Sequence, residues 1–322
     1  MKTAKIISIV CWLVTALILI GLVIWFLSGN LFGFRTGFKF NIPAFHIGSF
    51  ERLTGPFNAV GSFEAPAGDV NSLDINWVAG SATVTPYDGD TVKVIEYAQR
   101  ELSDNEKFVC GVSGGTLEVK YCTPGWKSIN ITKKLEVLVP EALAGKLDVL
   151  DLDATSADIT VSDFSVETFS VKEVSGTADL SGIKAGVSDV SSVSGTIKIE
   201  DMTASKLTTG SVSGEIRLTG VTADTLISGS TSGGQQLRGI FKDVEAGSVS
   251  GEIDVVSNID PERMYCHSTS GGITVTIPGN TGPSVSYSAV SGRFSTDIPL
   301  RTGASGDYKF NTISGDIHIK AA

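Results

Sequence analysis

A short motif, Ser-Gly preceded by Val, Thr or Ile, recurs nine times between residue 155 and the end of the chain, with alanine replacing glycine in the first copy. Successive repeat serines are 19, 19, 19, 19, 18, 20, 21 and 23 residues apart. These serines are Ser156, Ser175, Ser194, Ser213, Ser232, Ser250, Ser270, Ser291 and Ser314. A period this regular indicates that each copy is one structural unit stacked on the next.

Apolar residues stand at fixed distances from each repeat serine. The position one before it is Val, Thr or Ile, and those three and five after it are mostly Ile, Val or Leu. Because these offsets are all odd, they predict side chains on one face of a strand. A second apolar column lies eight residues after the serine, at Phe164, Ile183, Met202, Val221 and Ile240. A third lies six before it, at Phe169, Leu207, Leu226, Val244, Met264 and Val285.

The repeat length predicts the shape of one unit. Nineteen residues in one extended strand would measure about 63 Å, so each unit must fold into at least two short strands joined by turns. A single unit buries too little apolar surface to offset the conformational entropy lost on ordering it, so neighbours must complete its core. We predict an all-β chain, a β-solenoid of about nine coils of roughly 19 residues, preceded by one N-terminal transmembrane helix.

The predicted domain organisation has four parts. Residues 1–28 form a short tail and the transmembrane helix, and residues 29–60 form a tether rich in Gly and Phe. Residues 61–145 contain strand-like runs without the regular period, which predicts an N-terminal β cap, and residues 146–322 form the solenoid repeats.

The N-terminal apolar segment, Ile6 to Leu27, contains no charged residue over its 22 positions. As a helix it would span roughly 33 Å, enough for a hydrocarbon core of about 30 Å. A cleaved signal peptide is the alternative, but its apolar core is usually shorter, and Ser28-Gly29-Asn30 is a poor cleavage site. We predict an uncleaved single-pass anchor in the cell membrane, a short cytoplasmic tail and the bulk of the chain outside the cytoplasm.

The charge of the chain restricts its partners. The formal net charge is -10, and residues 1–40 carry four basic residues and no acid, which leaves about -14 for the remainder. A surface this acidic repels phosphate backbones, so no nucleic-acid partner is expected.

Parity along the strand predicts a row of hydroxyl groups on the outside. Even offsets would place each repeat serine and the serine two residues before it on the outer face of five consecutive coils. The ten residues of this possible contact ladder are Ser192, Ser194, Ser211, Ser213, Ser230, Ser232, Ser248, Ser250, Ser268 and Ser270. The alternative is that these serines were selected for small size and backbone hydrogen bonding near a turn.

No pattern of catalytic residues is present in the sequence. Gly111 to Gly115 matches the nucleophile-elbow pattern, but a strand-like segment follows it where that motif requires a helix. The histidines, His46, His267 and His318, are widely separated, and none forms a metal-ligand pair with a cysteine. We expect a non-enzymatic protein with no cofactor and no metal.

The iterated Val-Ser-Gly-x-Ile-x-Ile unit behind an N-terminal anchor resembles a bacterial envelope family known as putative adhesins, a domain of unknown function built from β-strand repeats. The units that carry the resemblance are Val193–Ile199, Val212–Leu218 and Ile313–Ile319. The match extends over roughly residues 60–322. It implies a right-handed, β-helix-like solenoid and a surface location.

Two functions follow as hypotheses. The first is a membrane-anchored, extracytoplasmic solenoid that binds cell-wall polymer, glycan or another envelope protein in the manner of an adhesin. The second is a regulatory or sensor partner of a membrane or envelope stress-response system.

Overall fold

The computed structural model describes residues 55–123, 131–280, 282–301 and 306–322. These residues hold twenty-one strands, a 3-10 turn at Ala67–Asp69 and one short helix, α1, at Glu141–Ala144. The strands before the repeats are β1 (Asn58–Pro66), β2 (Ser72–Tyr87), β3 (Thr91–Ala98), β4 (Val109–Ser113), β5 (Thr116–Lys120) and β6 (Lys133–Pro140). Those of the repeats are β7 (Leu147–Ser162), β8 (Ser165–Ser175), β9 (Thr177–Ser181), β10 (Lys184–Ser192), β11 (Thr196–Glu200), β12 (Thr203–Ser211), β13 (Ile216–Ser230), β14 (Gln235–Ser248), β15 (Ile253–Ser257), β16 (Arg263–Ser268), β17 (Ile273–Ile277), β18 (Ser284–Ala289), β19 (Phe294–Thr296), β20 (Asp307–Thr312) and β21 (Ile317–Ala321).

Each repeat contributes one strand segment before its Ser-Gly motif and one after it, and we number the coils 1 to 9 by their repeat serines, from Ser156 to Ser314. In coil 3, β10 pairs in parallel with β8 and β12, and β11 pairs in parallel with β9 and β13. The register joins equivalent positions, so that Ile197 lies between Ala178 and Ile216. The all-β prediction is confirmed, and the stacked parallel ladders are consistent with a β-solenoid.

The apolar columns form the core. The side chains three and five residues after the repeat serine are almost all inaccessible; Ile197, Ile216 and Ile273 are each 0% exposed. Burying a side chain of this size stabilises the fold by roughly 1.5–3 kcal/mol. In the column eight residues after the repeat serine, Ile240 was predicted wrongly: it is 38% exposed, and Phe241 is buried in its place. Coil 5 is one residue shorter, and a register shift in the β13–β14 ladder brings Gly239 opposite Val221.

The parallel stack continues into the segment predicted as a cap. β2 pairs in parallel with β7 on one side and with β5 and β6 on the other. Beyond these strands the pairing becomes antiparallel: β4 pairs with β5, β3 with β6, and β1 with β3. The N-terminal end of the stack is therefore closed by strands of a different arrangement.

A buried ion pair lies inside this N-terminal end. Lys133 and Glu96 are both 0% exposed, and Lys133 Nζ lies 2.5 Å from Glu96 Oε1. Lys133 also donates to the backbone carbonyls of Glu106 and Tyr121, and its Nζ lies 3.8 Å from the centroid of the Tyr121 ring. Burial lowers the pKa of Lys133, and the Glu96 carboxylate opposes that shift.

The C-terminal end departs from the order of the sequence. The strands of coil 7, β16 and β17, pair with β20 and β21 of coil 9. The other edges of β20 and β21 pair with β18 and β19 of coil 8. Coil 9 thus lies between coils 7 and 8, and the outermost coil is the penultimate one in the chain.

The described part of the chain contains no helix that is both long and apolar enough to cross a bilayer. The predicted span, Ile6 to Leu27, and most of the tether at residues 29–60 lie outside the described residues. The anchor, the tether and the right-handed coil therefore stay predictions.

Candidate functional site

The predicted hydroxyl ladder divides into two rows with different surroundings. The serines two residues before each repeat serine are only 0–5% exposed, which contradicts their predicted outward position. These buried serines are Ser192, Ser211, Ser230, Ser248 and Ser268. The five repeat serines are exposed, namely Ser194, Ser213, Ser232, Ser250 and Ser270.

The prediction was wrong because the same inward–outward alternation of side chains was assumed on both sides of a bend in the chain. Residues 193–195 bend the chain between β10 and β11, so Ser192 and Gly195, three residues apart, both face the interior. The sequence contained a sign of this change, because the apolar column six residues before the repeat serine has an even offset. Even offsets before the bend therefore face inward, as odd ones do after it. For the same reason the residue just before the repeat serine is not part of the core: Val290 is 78% exposed.

Each buried serine makes a bond within its own corner. The backbone N–H of Gly195 donates to Ser192 Oγ at 2.7 Å, and that of Gly214 donates to Ser211 Oγ at 2.8 Å. Gly251 and Gly271 bond in the same way to Ser248 and Ser268, and Thr312 takes the role of the serine in coil 9. These bonds satisfy backbone N–H groups that the corner removes from water.

The exposed serines link neighbouring coils. Ser194 Oγ donates to the carbonyl of Val174 in the preceding coil at 3.1 Å, and Ser213 Oγ to that of Val193 at 3.3 Å. Ser232, Ser250 and Ser270 make equivalent bonds at 3.3 Å. Since each hydroxyl hydrogen is already used, the row presents mainly acceptor lone pairs to solvent. A contact role for this row stays a prediction.

The glycine that follows the repeat serine is required by the stacking of carbonyls. A Cβ on Gly214 would lie 1.7 Å from the carbonyl oxygen of Gly195, and one on Gly233 would lie 1.8 Å from that of Gly214. Real Cβ atoms do not approach this closely, so a larger residue would force the coils apart.

Glu173 interrupts the buried row of serines. It occupies the equivalent position in coil 2, is 1% exposed, and accepts a hydrogen bond from Ser192 Oγ at 3.2 Å. Burial raises the pKa of Glu173 to about 7, against a smaller lowering by the Ser192 bond. Its other carboxylate oxygen, Oε2, is buried without a hydrogen-bond partner.

A groove on the outer surface of coils 5, 6, 7 and 9 carries a different set of side chains. Its volume is about 340 Å³. The residues that line it are Thr225, Asp243, Val244, Glu245, Arg263, Met264, Tyr265, Asp307 and Lys309. The parallel register places Tyr265 between Glu245 and Lys309, so three coils contribute to one row. We call this surface the Tyr265 groove.

The aromatic ring at the centre of the groove is held by its neighbours. The rings of Tyr265 and His267 stack with centroids 5.3 Å apart. Lys309 Nζ lies 5.7 Å from the centroid of the Tyr265 ring, and Asn311 Nδ2 donates to Tyr265 Oη at 3.4 Å. These contacts fix the ring on the solenoid surface.

Charged groups lie beside the ring. Arg263 donates through Nε and Nη2 to the two carboxylate oxygens of Asp243, at 2.9 and 2.6 Å. These bonds lower the pKa of Asp243, whereas burial raises the pKa of Glu245. An aromatic face bordered by carboxylates, a guanidinium and an ammonium group can stack on a ring-shaped ligand and hydrogen-bond to its hydroxyl groups. Among the described residues no cluster of acidic, histidine or cysteine side chains could hold a metal ion.

The Tyr265 groove was not predicted from the sequence. Asp243 and Arg263 are 20 residues apart, which is the local repeat length, so the period alone places them in adjacent coils. The useful signal was this alignment of opposite charges and an aromatic residue across repeats. The alignment was missed because Tyr265 lies five residues before the repeat serine Ser270, and side chains at odd offsets were expected to face the interior.

Comparisons with known proteins show similarity in fold. The family model described as Toastrack DUF4097 matches residues 70–320. A "putative adhesin" from Parabacteroides distasonis has a TM-score of 0.54 at 11% identity, and the alignment covers 82% of this chain and 97% of that one. A "putative adhesin" from Parabacteroides merdae has a TM-score of 0.53 at 11% identity, with 81% and 95% covered.

A "putative lipid binding protein" from Parabacteroides distasonis has a TM-score of 0.54 at 16% identity, with 84% of this chain and 100% of that chain covered. At such identities the likeness shows the fold alone. No curated protein matches the chain in sequence.

Proposed function

The chain belongs to the Toastrack DUF4097 family, a family of unknown function, and from this premise we propose that it is a non-enzymatic, adhesin-like protein that binds a glycan of the cell envelope in the Tyr265 groove. The proposal includes the predicted anchor at Ile6 to Leu27, which would place the solenoid outside the cytoplasm. Two structural neighbours described as putative adhesins support the adhesin-like role.

One observation carries the glycan proposal. The ring of Tyr265 lies in an open groove between Glu245 and Lys309, next to the Asp243–Arg263 pair. Sugars present an apolar ring face and a rim of hydroxyl groups, and this surface offers a partner for each. The acidic net charge of the chain makes a neutral or amino-bearing sugar polymer a better partner than an anionic one.

Binding of the full chain, in a nonionic detergent, to purified peptidoglycan and to a panel of immobilised oligosaccharides tests the proposal. We expect the wild-type chain to bind at least one of these probes. Tyr265→Ala should weaken that binding by roughly tenfold, since it removes the stacking surface. Tyr265→Phe keeps the ring and is the matched control, with binding within about threefold of wild type.

The exposed serines provide the competing site. A triple variant, Ser213→Ala, Ser232→Ala and Ser250→Ala, removes three hydroxyls of the row and leaves the groove intact. Normal binding by this variant supports the groove. Loss of binding in the serine variant with full binding by Tyr265→Ala would assign the site to the serine row, and a wild-type chain that bound none of the probes would contradict glycan binding.

A further inference from the structure

The outermost coil at the C-terminal end has one unpaired edge. β18 and β19 pair with β20 and β21, and the described residues provide no partner for their other edges. The N–H groups of Ser284 and Val290 point inward, to the carbonyls of Gly306 and Thr312. Because successive residues of a strand point to alternate edges, the backbone groups of Val285, Tyr287 and Ala289 point away from the stack. The open edge therefore presents three donors and three acceptors.

The hydrophobic core is also incompletely covered at this end. Tyr287 is in register with the fully buried Phe310 and belongs to the core column, yet it is 55% exposed. Its ring stacks on that of Phe294 with centroids 4.1 Å apart. Four of the nine exposed large hydrophobic side chains in the described residues lie at this end, namely Tyr287, Val290, Leu300 and Ile313. Solenoids require a polar terminal coil for solubility, and in coil 8 these apolar side chains interrupt the polar surface.

The charge pattern identifies the partner. Residues 284–292, Ser-Val-Ser-Tyr-Ser-Ala-Val-Ser-Gly, contain no charged residue and no proline, the usual protections of an exposed edge; Pro283 and Arg293 stand directly outside this segment. The chain as a whole carries a net charge of -10, so two copies repel each other except where a surface is neutral. An uncharged edge with equal numbers of donors and acceptors is complementary to itself when two copies meet antiparallel about a two-fold axis.

We propose that the open edge of coil 8 binds a second copy of this chain, with β18 of each copy pairing antiparallel and Tyr287 and Val290 buried between them. Because a contact about a two-fold axis uses the same edge in both copies, it joins two C-terminal ends and association stops at a dimer. The dimer would present two Tyr265 grooves on one rigid body, which increases avidity for a polymer with repeated binding units.

Sedimentation equilibrium of the full chain, in a density-matched nonionic detergent and over a wide concentration range, tests this proposal. We expect a monomer–dimer equilibrium. Val290→Lys places two ammonium groups at the two-fold contact and should weaken dimerisation by roughly tenfold or more. Val187→Lys changes another exposed valine, 49% exposed, away from this end, and should leave the equilibrium unchanged.

A second variant acts on the backbone. Tyr287→Pro removes an N–H from the open edge together with the Tyr287 ring, without removing an N–H that bonds within the stack, so it should also shift the equilibrium to monomer. Circular dichroism of each variant verifies that the fold is retained. A wild-type chain that stayed monomeric, a dimer unaffected by Val290→Lys in a folded protein, or open filaments would each overturn the proposal. None of these results depends on glycan binding.

Discussion

The two ends of the solenoid differ in how the last strands of the parallel stack are covered. At the N-terminal end the parallel stack is covered by the antiparallel strands β1, β3 and β4, with the ion pair of Lys133 and Glu96 sealed inside. At the C-terminal end the stack stops at coil 8, whose outer edge has no partner strand among the described residues and whose core residue Tyr287 is half exposed.

The difference shows where specificity is located in a repeat protein. In the middle of the stack every coil meets a copy of itself, so small apolar side chains and a Ser-Gly corner are sufficient. The N-terminal end instead contains Lys133, the only buried lysine among the described residues, paired with Glu96. The C-terminal end is an ordinary coil, and its outer edge is the surface proposed to bind a second copy of the chain.

The largest effect is expected from the N-terminal ion pair. Lys133→Met leaves the Glu96 carboxylate buried without a counter-charge and should lower the free energy of unfolding by about 3–5 kcal/mol. Lys309→Met, an exposed lysine near the other end, should change it by less than about 0.5 kcal/mol. Urea denaturation measures both. Adding Glu96→Gln to Lys133→Met should recover part of the loss, and a cost below about 1 kcal/mol for the single variant would contradict the assigned role.

A smaller effect should distinguish the middle from the open end. Gly214→Ala places a methyl group against the carbonyl of Gly195 between two fixed coils, and should destabilise the fold by roughly 3 kcal/mol. Gly292→Ala makes a similar contact, 1.9 Å from the carbonyl oxygen of Gly315, but coil 8 can move outward. Its cost in the same denaturation experiment should be less than half as large. Equal costs would show that coil 8 is held as firmly as the interior coils.

The smallest effect concerns pH. The pKa of Glu173 in the folded chain is about 7, raised from the ordinary 4.5 by burial, so the folded state holds this proton more tightly than the unfolded state. The stability that Glu173 contributes is therefore fully present below pH 4.5 and falls as pH rises to about 7. Glu173→Gln should remove this slope and exceed wild type at alkaline pH by on the order of 2 kcal/mol.

The equivalent position in coil 8 is Ala289, so the open end should contribute no matching slope. Urea midpoints measured across this pH range, for wild type and Glu173→Gln, test the assignment. Parallel pH profiles for the two proteins would contradict it.

Much of the fold could be predicted because the same core positions are apolar in almost every repeat. The columns that contain Ile197 and Ile216 were placed inside correctly, since a strand alternates and every coil repeats the alternation. The prediction failed at corners and at irregular coils. A bend changes which parity faces inward, as at Ser192, and an 18-residue coil replaced Ile240 by Phe241 in the core.

The repeat period could not predict the stacking order of the coils or the Tyr265 groove, for a physical reason. All coils present nearly identical columns, so coil 9 fits against coil 7 as well as coil 8 would, and only the longer spacings of 21 and 23 residues near the end indicate a change. The Tyr265 groove depends on outward side chains, which the core does not constrain. Half of the predicted surface serines are buried because their hydroxyls form hydrogen bonds within the corner. Composition alone does not distinguish such a serine from one that faces solvent.

The position of coil 9 between coils 7 and 8 also affects how the chain can fold during synthesis. A chain made from its N-terminus produces coil 8 before coil 9 exists, and coil 8 then has no permanent neighbour. The C-terminal end of the stack can be completed only after residues 307–321 have paired between coils 7 and 8. Until then coil 8 can occupy the edge of coil 7 that coil 9 takes in the complete fold, so the two coils compete for one position.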